Sequence, residues 1–198
     1  MSKIVLATRN RGKIIEISDL LQDLPLELCS VMDFSGIAEI HENGKTLEEN
    51  SLLKARRVFE ATHVPALADD SGLEVFALGK KPGVFSARYA GDHATYDDNN
   101  RKLIDELREI PAGMRQAQFR CVATFFSDGG LNVAEGICSG RIIETPRGTG
   151  GFGYDPIFVP DGYDNTFAEL SLEIKNRLSH RARAFQKMKE ILRRHFSL

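Results

Sequence analysis

The first segment of the chain combines an apolar run with apolar positions at helical spacing. Residues 4–7 are all apolar, which is typical of a buried strand. A polar loop follows at residues 8–13, and the next apolar residues recur at helical intervals: Ile14, Ile17, Leu21 and Leu24. The pattern therefore predicts a buried strand, a short loop and a helix in direct succession.

The rest of the pattern predicts an α/β protein. Apolar or β-rich runs indicate further strands at residues 26–31, 66–68, 73–78, 118–127, 131–143 and 157–159. Helical spacing and capping residues indicate helices at residues 46–62, 99–109 and from about 179 onward, with a helical turn at 168–172. Because strand–helix–strand units coexist with a long hairpin around residues 128–130, we expect a mixed sheet.

Composition describes an ordinary globular chain with little net charge. The 198 residues are 42% hydrophobic and 27% charged, with a formal net charge of −2. We expect residues 1–198 to form a single domain, with two lobes sharing one sheet. The small negative charge gives no field that attracts nucleic acid, so we predict no such partner.

Targeting signals and cysteine usage indicate the cytoplasm. No apolar run approaches the length of a membrane span, and the N-terminal residues lack the pattern of a signal peptide. The cysteines are scattered and odd in number: Cys29, Cys121 and Cys138. This usage fits a reducing compartment. We therefore predict a cytoplasmic protein without a membrane partner.

The loop at residues 8–13 has the chemistry of a polyphosphate site. Helix N-termini leave backbone N–H groups unpaired and carry partial positive charge, so they bind anions. The loop adds cationic and polar side chains: Thr8, Arg9, Asn10, Arg11 and Lys13. From these residues alone, a solvated basic turn capped by Asn10 is the alternative interpretation.

Two adjacent carboxylates, Asp69 and Asp70, directly follow an apolar run. We predict that residues 69–72 form a turn between two strands. Neighbouring carboxylates repel each other unless a cation or hydrogen-bond donors compensate them. Mg²⁺ typically binds through one or two carboxylates plus substrate phosphates, and Glu42 can supply a further carboxylate. A solvated acidic turn remains the alternative.

Lys54 lies in the middle of the helix predicted at residues 46–62. The apolar face of that helix is marked by Leu52, Ala55 and Phe59, and Lys54 falls off it. A solvated lysine and a cation of a phosphate site are both compatible with this position.

A second group of residues has the chemistry of a base pocket. In residues 152–155, an aromatic ring can stack on a base while a carboxylate or backbone group reads its edge. The alternative is a core aromatic residue between turn glycines. His180 and Arg181 open the last predicted helix, where cations are disfavoured, so we expect a compensating ligand to face them. An ordinary basic first turn is the alternative. Lys175 is close in sequence.

Two literal motif matches do not carry over to their usual functions. Residues 148–153 match the dinucleotide-binding pattern GxGxxG, but the residues that follow do not predict the helix that this fold requires. Residues 44–46 resemble the end of a phosphate-binding P-loop, yet Glu39 stands where that motif needs a glycine. We reject both interpretations.

The order of the polar segments resembles the inosine-triphosphate pyrophosphatase family, whose members remove deaminated purine nucleotides. The segments that carry the resemblance are TRNRGK, ENGKTLEEN, ADDSGL, PGVFSARYAG, GTGGFGYDPIF and LSHRARA. They span nearly the whole chain. The resemblance implies an elongated mixed β-sheet with flanking helices that form two lobes around a central cleft. It also implies a homodimer.

The resemblance implies a role for each matching residue. Asp70 would be the general base, Asp69 and Lys54 would also be catalytic, and Glu42 and Asp70 would bind Mg²⁺. The implied substrate-binding residues are Thr8, Arg9, Asn10, Arg11, Gly12, Lys13, Ser71, Phe152, Gly153, Tyr154, Asp155, Lys175, His180 and Arg181.

The implied reaction is Mg²⁺-dependent hydrolysis of ITP, dITP and XTP. Water attacks the α-phosphorus and releases the nucleoside monophosphate and pyrophosphate. Arg181 or His180 would donate a hydrogen bond to the 6-oxo group of the base. Adenine has a 6-amino group instead, so the site would exclude ATP. A pyrimidine nucleotide pyrophosphatase of similar shape and a non-catalytic nucleotide sensor are the alternative functions.

Overall fold

A mixed seven-stranded sheet flanked by helices is formed within residues 2–198, the part of the chain that the computed structural model describes. The strands are β1 (Ser2–Leu6), β2 (Leu26–Ser30), β3 (Ala66–Val75), β4 (Lys81–Pro82), β5 (Gln116–Ser127), β6 (Gly130–Ile142) and β7 (Phe158–Pro160). The helices are α1 (Arg11–Leu21), α2 (Leu47–Thr62), α3 (Tyr96–Glu106), α4 (Leu172–Leu178) and α5 (His180–Phe196).

The strand order confirms the mixed sheet predicted from the sequence. The order is β2-β1-β3-β5-β6-β7, and β4 pairs with β3 at one end. Strand β1 is parallel to both β2 and β3, whereas β4 is antiparallel to β3 and β7 is antiparallel to β6. None of the helices in residues 2–198 is long and apolar enough to cross a membrane.

The chain divides into two compact units. Unit 1 comprises Met1–Asp70, Cys121–Gly136 and Arg181–Leu198, and unit 2 comprises Ser71–Arg120 and Ile137–His180.

Unit 1 has a hydrophobic core on each face of its sheet. Strand β1 alternates, so Ile4 and Leu6 pack with residues of α1 and α5 while Val5 packs with residues of α2. All three side chains are fully or almost fully buried. This layering places the first turn of α1 and the middle of α2 beside the middle of β3, where Lys13 contacts Asp69 and Lys54 contacts Asp70.

Unit 2 has one core that is rich in aromatic side chains. The ring of Phe119 lies 4.7 Å from that of Phe158, and the ring of Phe158 lies 5.0 Å from that of Phe167. Leu103 of α3 packs against this cluster. The core therefore supports both α3 and the segment around residues 152–157.

The sequence-based prediction of a turn at residues 69–72 was wrong, and helix α4 was not predicted. Residues 69–72 form no turn, because β3 runs without a break from Ala66 to Val75. Residues 167–169 form a turn as predicted, but α4 follows at Leu172–Leu178 and is capped by Ser171. The predicted caps of α1 and α2, Asn10 and Thr46, are confirmed.

Gly72 is present in β3 because another chain segment approaches it closely. A Cβ atom at this position would lie only 2.3 Å from the carbonyl oxygen of Gly83. Ser86 then donates to that same carbonyl at 2.6 Å and accepts from the backbone N–H of Leu73 at 2.9 Å. The glycine that suggested a turn in fact permits close packing inside unit 2.

Candidate active site

The loop before α1 is both a capped turn and a source of cations. Oδ1 of Asn10 accepts from the backbone N–H of Lys13 at 3.2 Å, and Oγ1 of Thr8 accepts from the backbone N–H of Asn10 at 3.2 Å. Arg9 donates to the carbonyl of Ile37 at 2.6 Å, and Arg11 is exposed. The side chain of Lys13 turns back toward β3. The loop can therefore be a turn capped by Asn10 and a source of cations for a phosphate at the same time.

Lys54 of α2 brings two carboxylates together. Its Nζ atom lies 2.8 Å from Oε1 of Glu42 and 2.8 Å from Oδ1 of Asp70. The same ammonium donates to the backbone carbonyl of Asp69 at 2.8 Å. Asn50, one turn earlier on α2, donates its amide to Oδ2 of Asp70 at 3.3 Å. Lys54 is only 6% exposed, so it is a buried lysine and not a solvated one.

Asp69 is a second centre of the same cluster. Its Oδ2 atom accepts from Lys13 at 3.1 Å and from Nη2 of Arg181 at 3.0 Å. Arg181 also donates to Glu16 of α1, and both side chains are almost fully buried. Cys121 of β5 lies close by, with its Sγ 3.9 Å from Oδ2 of Asp69. Asp69 thus stays in a buried strand because cations surround it.

Neighbouring carboxyls in this cluster have opposite pKa shifts. Burial alone would raise the pKa of Asp69, but the surrounding cations, Lys13 above all, outweigh it and hold that pKa far below the usual range. Burial raises the pKa of Asp70, which Lys54 opposes and Glu42 increases. Asp69 is therefore a fixed anion, whereas Asp70 takes up a proton at a higher pH than an exposed aspartate does.

Glu16 was not identified from the sequence. It lies beside the apolar stripe of α1, and a charged residue there is usually solvated. Its partner, Arg181 of α5, is 165 positions away in sequence. No local pattern therefore identifies Glu16. Glu16 and Asp69 supply protein acceptors for Arg181 at the start of α5, where we expected a bound ligand to face the cation.

A divalent cation fits the carboxylates of this cluster. Within residues 2–198, no three His, Cys, Asp or Glu side chains form a cage that could hold a metal by themselves. Glu42 and Asp70 nevertheless both contact the ammonium of Lys54, so they lie close together. Each carboxylate has about four lone-pair positions. Two hard oxygen donors plus phosphate oxygens are the ligands that Mg²⁺ prefers. The donor set therefore suits Mg²⁺ that binds together with a phosphate.

A second polar group forms within unit 2, around Asp155. Oδ2 of Asp155 accepts from Nζ of Lys175 at 2.5 Å and from the backbone N–H of Phe152 at 2.8 Å. Nζ of Lys175 lies 5.0 Å from the centre of the Phe152 ring. Asp155 and Lys175 are both buried, while Phe152 remains partly accessible. A Cβ at Gly151 would lie 2.0 Å from Oδ2 of Asp155, so this loop requires glycine there.

The other residues predicted for the base pocket are mostly held by the core of unit 2. His180 stacks on Phe119 with ring centroids 4.6 Å apart and an angle of 12°. Tyr154 is buried, and its hydroxyl donates to the carbonyl of Ser86 at 2.9 Å. Ser71 lies in β3, directly after Asp70. No long helix follows residues 148–153, which agrees with the rejection of a dinucleotide fold.

Comparison with known families identifies the family of the chain. The model of the Ham1 family matches residues 4–191. The chain belongs to the Ham1 family. This confirms the resemblance that the polar segments indicated.

Individual relatives match over nearly their full length. A dITP/XTP pyrophosphatase of Geobacter sulfurreducens is 50% identical over 193 residues, which cover 97% of this chain and 97% of that protein. A HAM1 protein from Coxiella burnetii, whose structure is solved, is 40% identical with a TM-score of 0.88 and covers 97% of this chain and 98% of its own. The Staphylococcus aureus Ham1 protein is 37% identical with a TM-score of 0.86, over 98% of this chain and 100% of its own.

In this Ham1 chain the predicted site residues divide between the two units. The group in unit 1 contains Thr8, Arg9, Asn10, Arg11, Gly12, Lys13, Glu42, Lys54, Asp69, Asp70 and Arg181. The group in unit 2 contains Ser71, Phe152, Gly153, Tyr154, Asp155, Lys175 and His180. Arg181 was predicted with the base pocket, but its guanidinium contacts carboxylates of the first group.

Proposed function

We propose that this protein hydrolyses deaminated purine nucleoside triphosphates, in particular dITP, XTP and ITP, to the monophosphate and pyrophosphate. The observation that supports this most strongly is the buried cluster in which Lys13 and Lys54 meet Asp69, Asp70 and Glu42. A cluster of ammonium groups and carboxylates at the start of a helix suits phosphoryl transfer. A relative with half of its residues identical is named for dITP and XTP.

The charge balance of the cluster explains why a metal should accompany the substrate. Four carboxylates, which include Glu16, face three cations, which include Arg181. A triphosphate would therefore approach a slightly negative group. Mg²⁺ held by Glu42, Asp70 and phosphate oxygens would neutralise part of the phosphate charge and orient the phosphates.

The side chains of the chain supply the remaining steps. Lys13 and the N-terminus of α1 bind the outer phosphates, and Lys54 stabilises charge that develops at the α-phosphate. Asp70 accepts a proton from the attacking water. A bond forms between the water oxygen and the α-phosphorus, while the bond from that phosphorus to the bridging oxygen breaks and pyrophosphate leaves. Asp69 touches the lysines and positions them.

The group in unit 2 is proposed to bind the base. Phe152 offers a partly accessible ring for stacking, and Lys175 and Asp155 form a fixed pair of polar groups next to it. His180 is held by its stack on Phe119. A site built around hydrogen bonds to a base discriminates strongly, because the wrong base leaves buried groups unpaired.

The test is a substrate panel with identified products. The protein with Mg²⁺ is incubated with dITP, XTP, dATP, dCTP and dUTP, and monophosphate and pyrophosphate are quantified. Release of dIMP and pyrophosphate, with water labelled by ¹⁸O entering the monophosphate, would support the proposal. Preference for dCTP or dUTP would indicate a pyrimidine pyrophosphatase, and binding without turnover would indicate a sensor.

Lys13→Ala is expected to weaken binding of ITP more than binding of IMP. Lys13 lies in the first turn of α1 and its ammonium contacts Asp69, and in the proposed mechanism this cation binds the outer phosphates, which IMP lacks. Loss of one charged contact suggests roughly a 10-fold or larger effect on ITP. Calorimetry in an Asp70→Asn background avoids turnover during the measurement. Equal losses for ITP and IMP would exclude this phosphate contact.

Chelation is expected to abolish hydrolysis, and Mg²⁺ is expected to restore it. The reason is the excess of carboxylates over cations in the cluster, which leaves a triphosphate poorly compensated without a metal. Initial rates with dITP are measured in EDTA and after Mg²⁺ is added back, with Ca²⁺ as the matched divalent control. Unchanged activity in EDTA would show that the protein side chains alone suffice.

The assembly and the location of the protein also stay proposals. The resemblance implies a homodimer with a nucleotide as its small-molecule partner, and the scattered cysteines fit the cytoplasm. The relatives named above support the nucleotide, and they leave the other two proposals for direct measurement.

A further inference from the structure

Helix α3 contacts the Phe152–Gly153 segment through two side chains that lie one turn apart. The amide nitrogen of Asn100 donates to the carbonyl of Gly153 at 3.1 Å. The ring of Tyr96 lies 6.3 Å from that of Phe152, at an angle of 42°. This separation is within the range of an aromatic pair. Residues four apart share one face of a helix, so a single face of α3 supports both the backbone and the ring of this segment.

The burial of Asn100 calls for an explanation. Burying a primary amide costs free energy unless hydrogen bonds replace its contacts with water. Asn100 is 4% exposed, and its Oδ1 atom has no hydrogen-bond partner within residues 2–198. The bond to Gly153 is thus the polar contact that offsets this burial. A half-satisfied buried amide is uncommon enough to suggest a function beyond packing.

The preceding residue shows what an asparagine with a purely structural role looks like here. Oδ1 of Asn99 accepts from the backbone N–H of Ala90 at 2.7 Å, and its amide nitrogen donates to the carbonyl of Ala87 at 3.2 Å. Both ends of that side chain therefore hold the loop before α3. Asn100 instead directs its donor to the segment that carries Phe152.

The Phe152–Gly153 segment needs such support because its backbone is permissive. Gly153 has a φ of +65°, in the left-handed region that glycine adopts without strain. Asp155 accepts from the N–H of Phe152 at 2.8 Å, and Asn100 donates to the carbonyl of Gly153, one residue further along the chain. Two buried side chains thus hold the peptide groups before Phe152 and after Gly153, which restricts the direction of the Phe152 ring.

We propose that Asn100 and Tyr96 are positioning residues that hold the ring of Phe152 for stacking on a purine base. The inference rests on the proposed function, because it takes residues 152–155 as part of the base site. It adds two residues of α3 that act on binding of the base without touching the phosphates.

The test separates base binding from phosphate binding. For Asn100→Ala we expect KM for dITP to rise about 10-fold while kcat changes less than about twofold, since a buried carbonyl loses its donor. Asn100→Asp keeps the shape of the side chain but places a carboxylate against the Gly153 carbonyl. The rise in KM for dITP should therefore be larger than in Asn100→Ala. The inhibition constant of inorganic tripolyphosphate, which has no base, should stay at the wild-type value in both variants.

Tyr96 offers a matched pair of variants. Tyr96→Phe keeps the ring and should keep the KM of the wild type, whereas Tyr96→Ala should raise it. Arg101→Ala, an exposed position on the same helix, controls for general loss of helix stability. Thermal unfolding of every variant shows whether the fold is kept.

Two results would overturn the inference. One is an unchanged KM in Asn100→Ala and Asn100→Asp. The other is a rise in the tripolyphosphate constant by the same factor, which would indicate general loosening. Calorimetric binding of dIMP to the same variants reports on positioning even if the wild type fails to hydrolyse dITP. Failure of the proposed function and failure of this inference are therefore distinguishable.

Discussion

Asp70→Asn is expected to lower kcat for dITP by roughly 10²–10⁴-fold, the range that general acid–base catalysis typically contributes. The substitution keeps the size of the side chain and removes its charge and its ability to take a proton. It also removes one of the two carboxylates proposed to hold Mg²⁺. Steady-state rates at saturating Mg²⁺ measure the effect, and a rate within about threefold of wild type would contradict the role.

The pH profile of the wild type provides the control for this variant. Burial raises the pKa of Asp70, so its ionised form becomes populated at a higher pH than for an exposed aspartate. Activity should therefore increase as pH rises through that raised pKa. In Asp70→Asn this increase of activity with pH, the acidic limb of the profile, should be absent. Asn50→Ala, which removes a donor to Asp70, should keep the limb and move it to higher pH, because a hydrogen bond to the carboxylate favours the charged form.

Arg181→Ala is expected to destabilise the protein by about 3–5 kcal/mol and to lower hydrolysis of ITP and ATP by similar factors. Removing one partner of a buried ion pair leaves the other charge uncompensated, which accounts for this magnitude. Here two carboxylates, Glu16 and Asp69, would lose their shared cation. Urea unfolding measures the stability, and Arg181→Lys, which keeps a cation, should lose less.

The ratio of kcat/KM for ITP and ATP distinguishes two roles for Arg181. If its guanidinium donates to the 6-oxo group of the base, as the resemblance implies, truncation should shrink the ratio by roughly 10–150-fold, the effect of one charged hydrogen bond. The contacts with Glu16 and Asp69 favour the other outcome, an unchanged ratio. A strongly reduced ratio would show that Arg181 leaves these carboxylates to bind substrate.

Local signals in the sequence predicted the elements around α1 well. Apolar spacing and the cap at Asn10 act within a few residues, so they identify the helix and its first turn. The hairpin turn between β5 and β6 was also predicted by its Asp-Gly-Gly sequence. In both places the interactions that fix the structure are close in sequence.

Long-range compensation of charge explains where the sequence-based interpretation failed. Asp69 and Asp70 have low strand propensity, so a turn was the reasonable prediction. They remain in β3 because Lys13, Lys54 and Arg181 lie beside them, and no local pattern shows that arrangement. The burial of Lys54 was hidden for the same reason, since its position on the helix suggested solvent.

The near balance of the buried charges has a consequence for how a substrate finds the protein. Opposite charges a few ångströms apart cancel at a distance, so the cluster around Asp69 projects little field beyond the screening length of about 8–10 Å in physiological salt. Arg9, on the loop before α1, and Arg11, the first residue of α1, are both exposed, and they are the cations of this segment that a diffusing nucleotide meets first. Ionic strength should therefore act on the rate of encounter through these two arginines, while the buried charges keep their interactions at high salt.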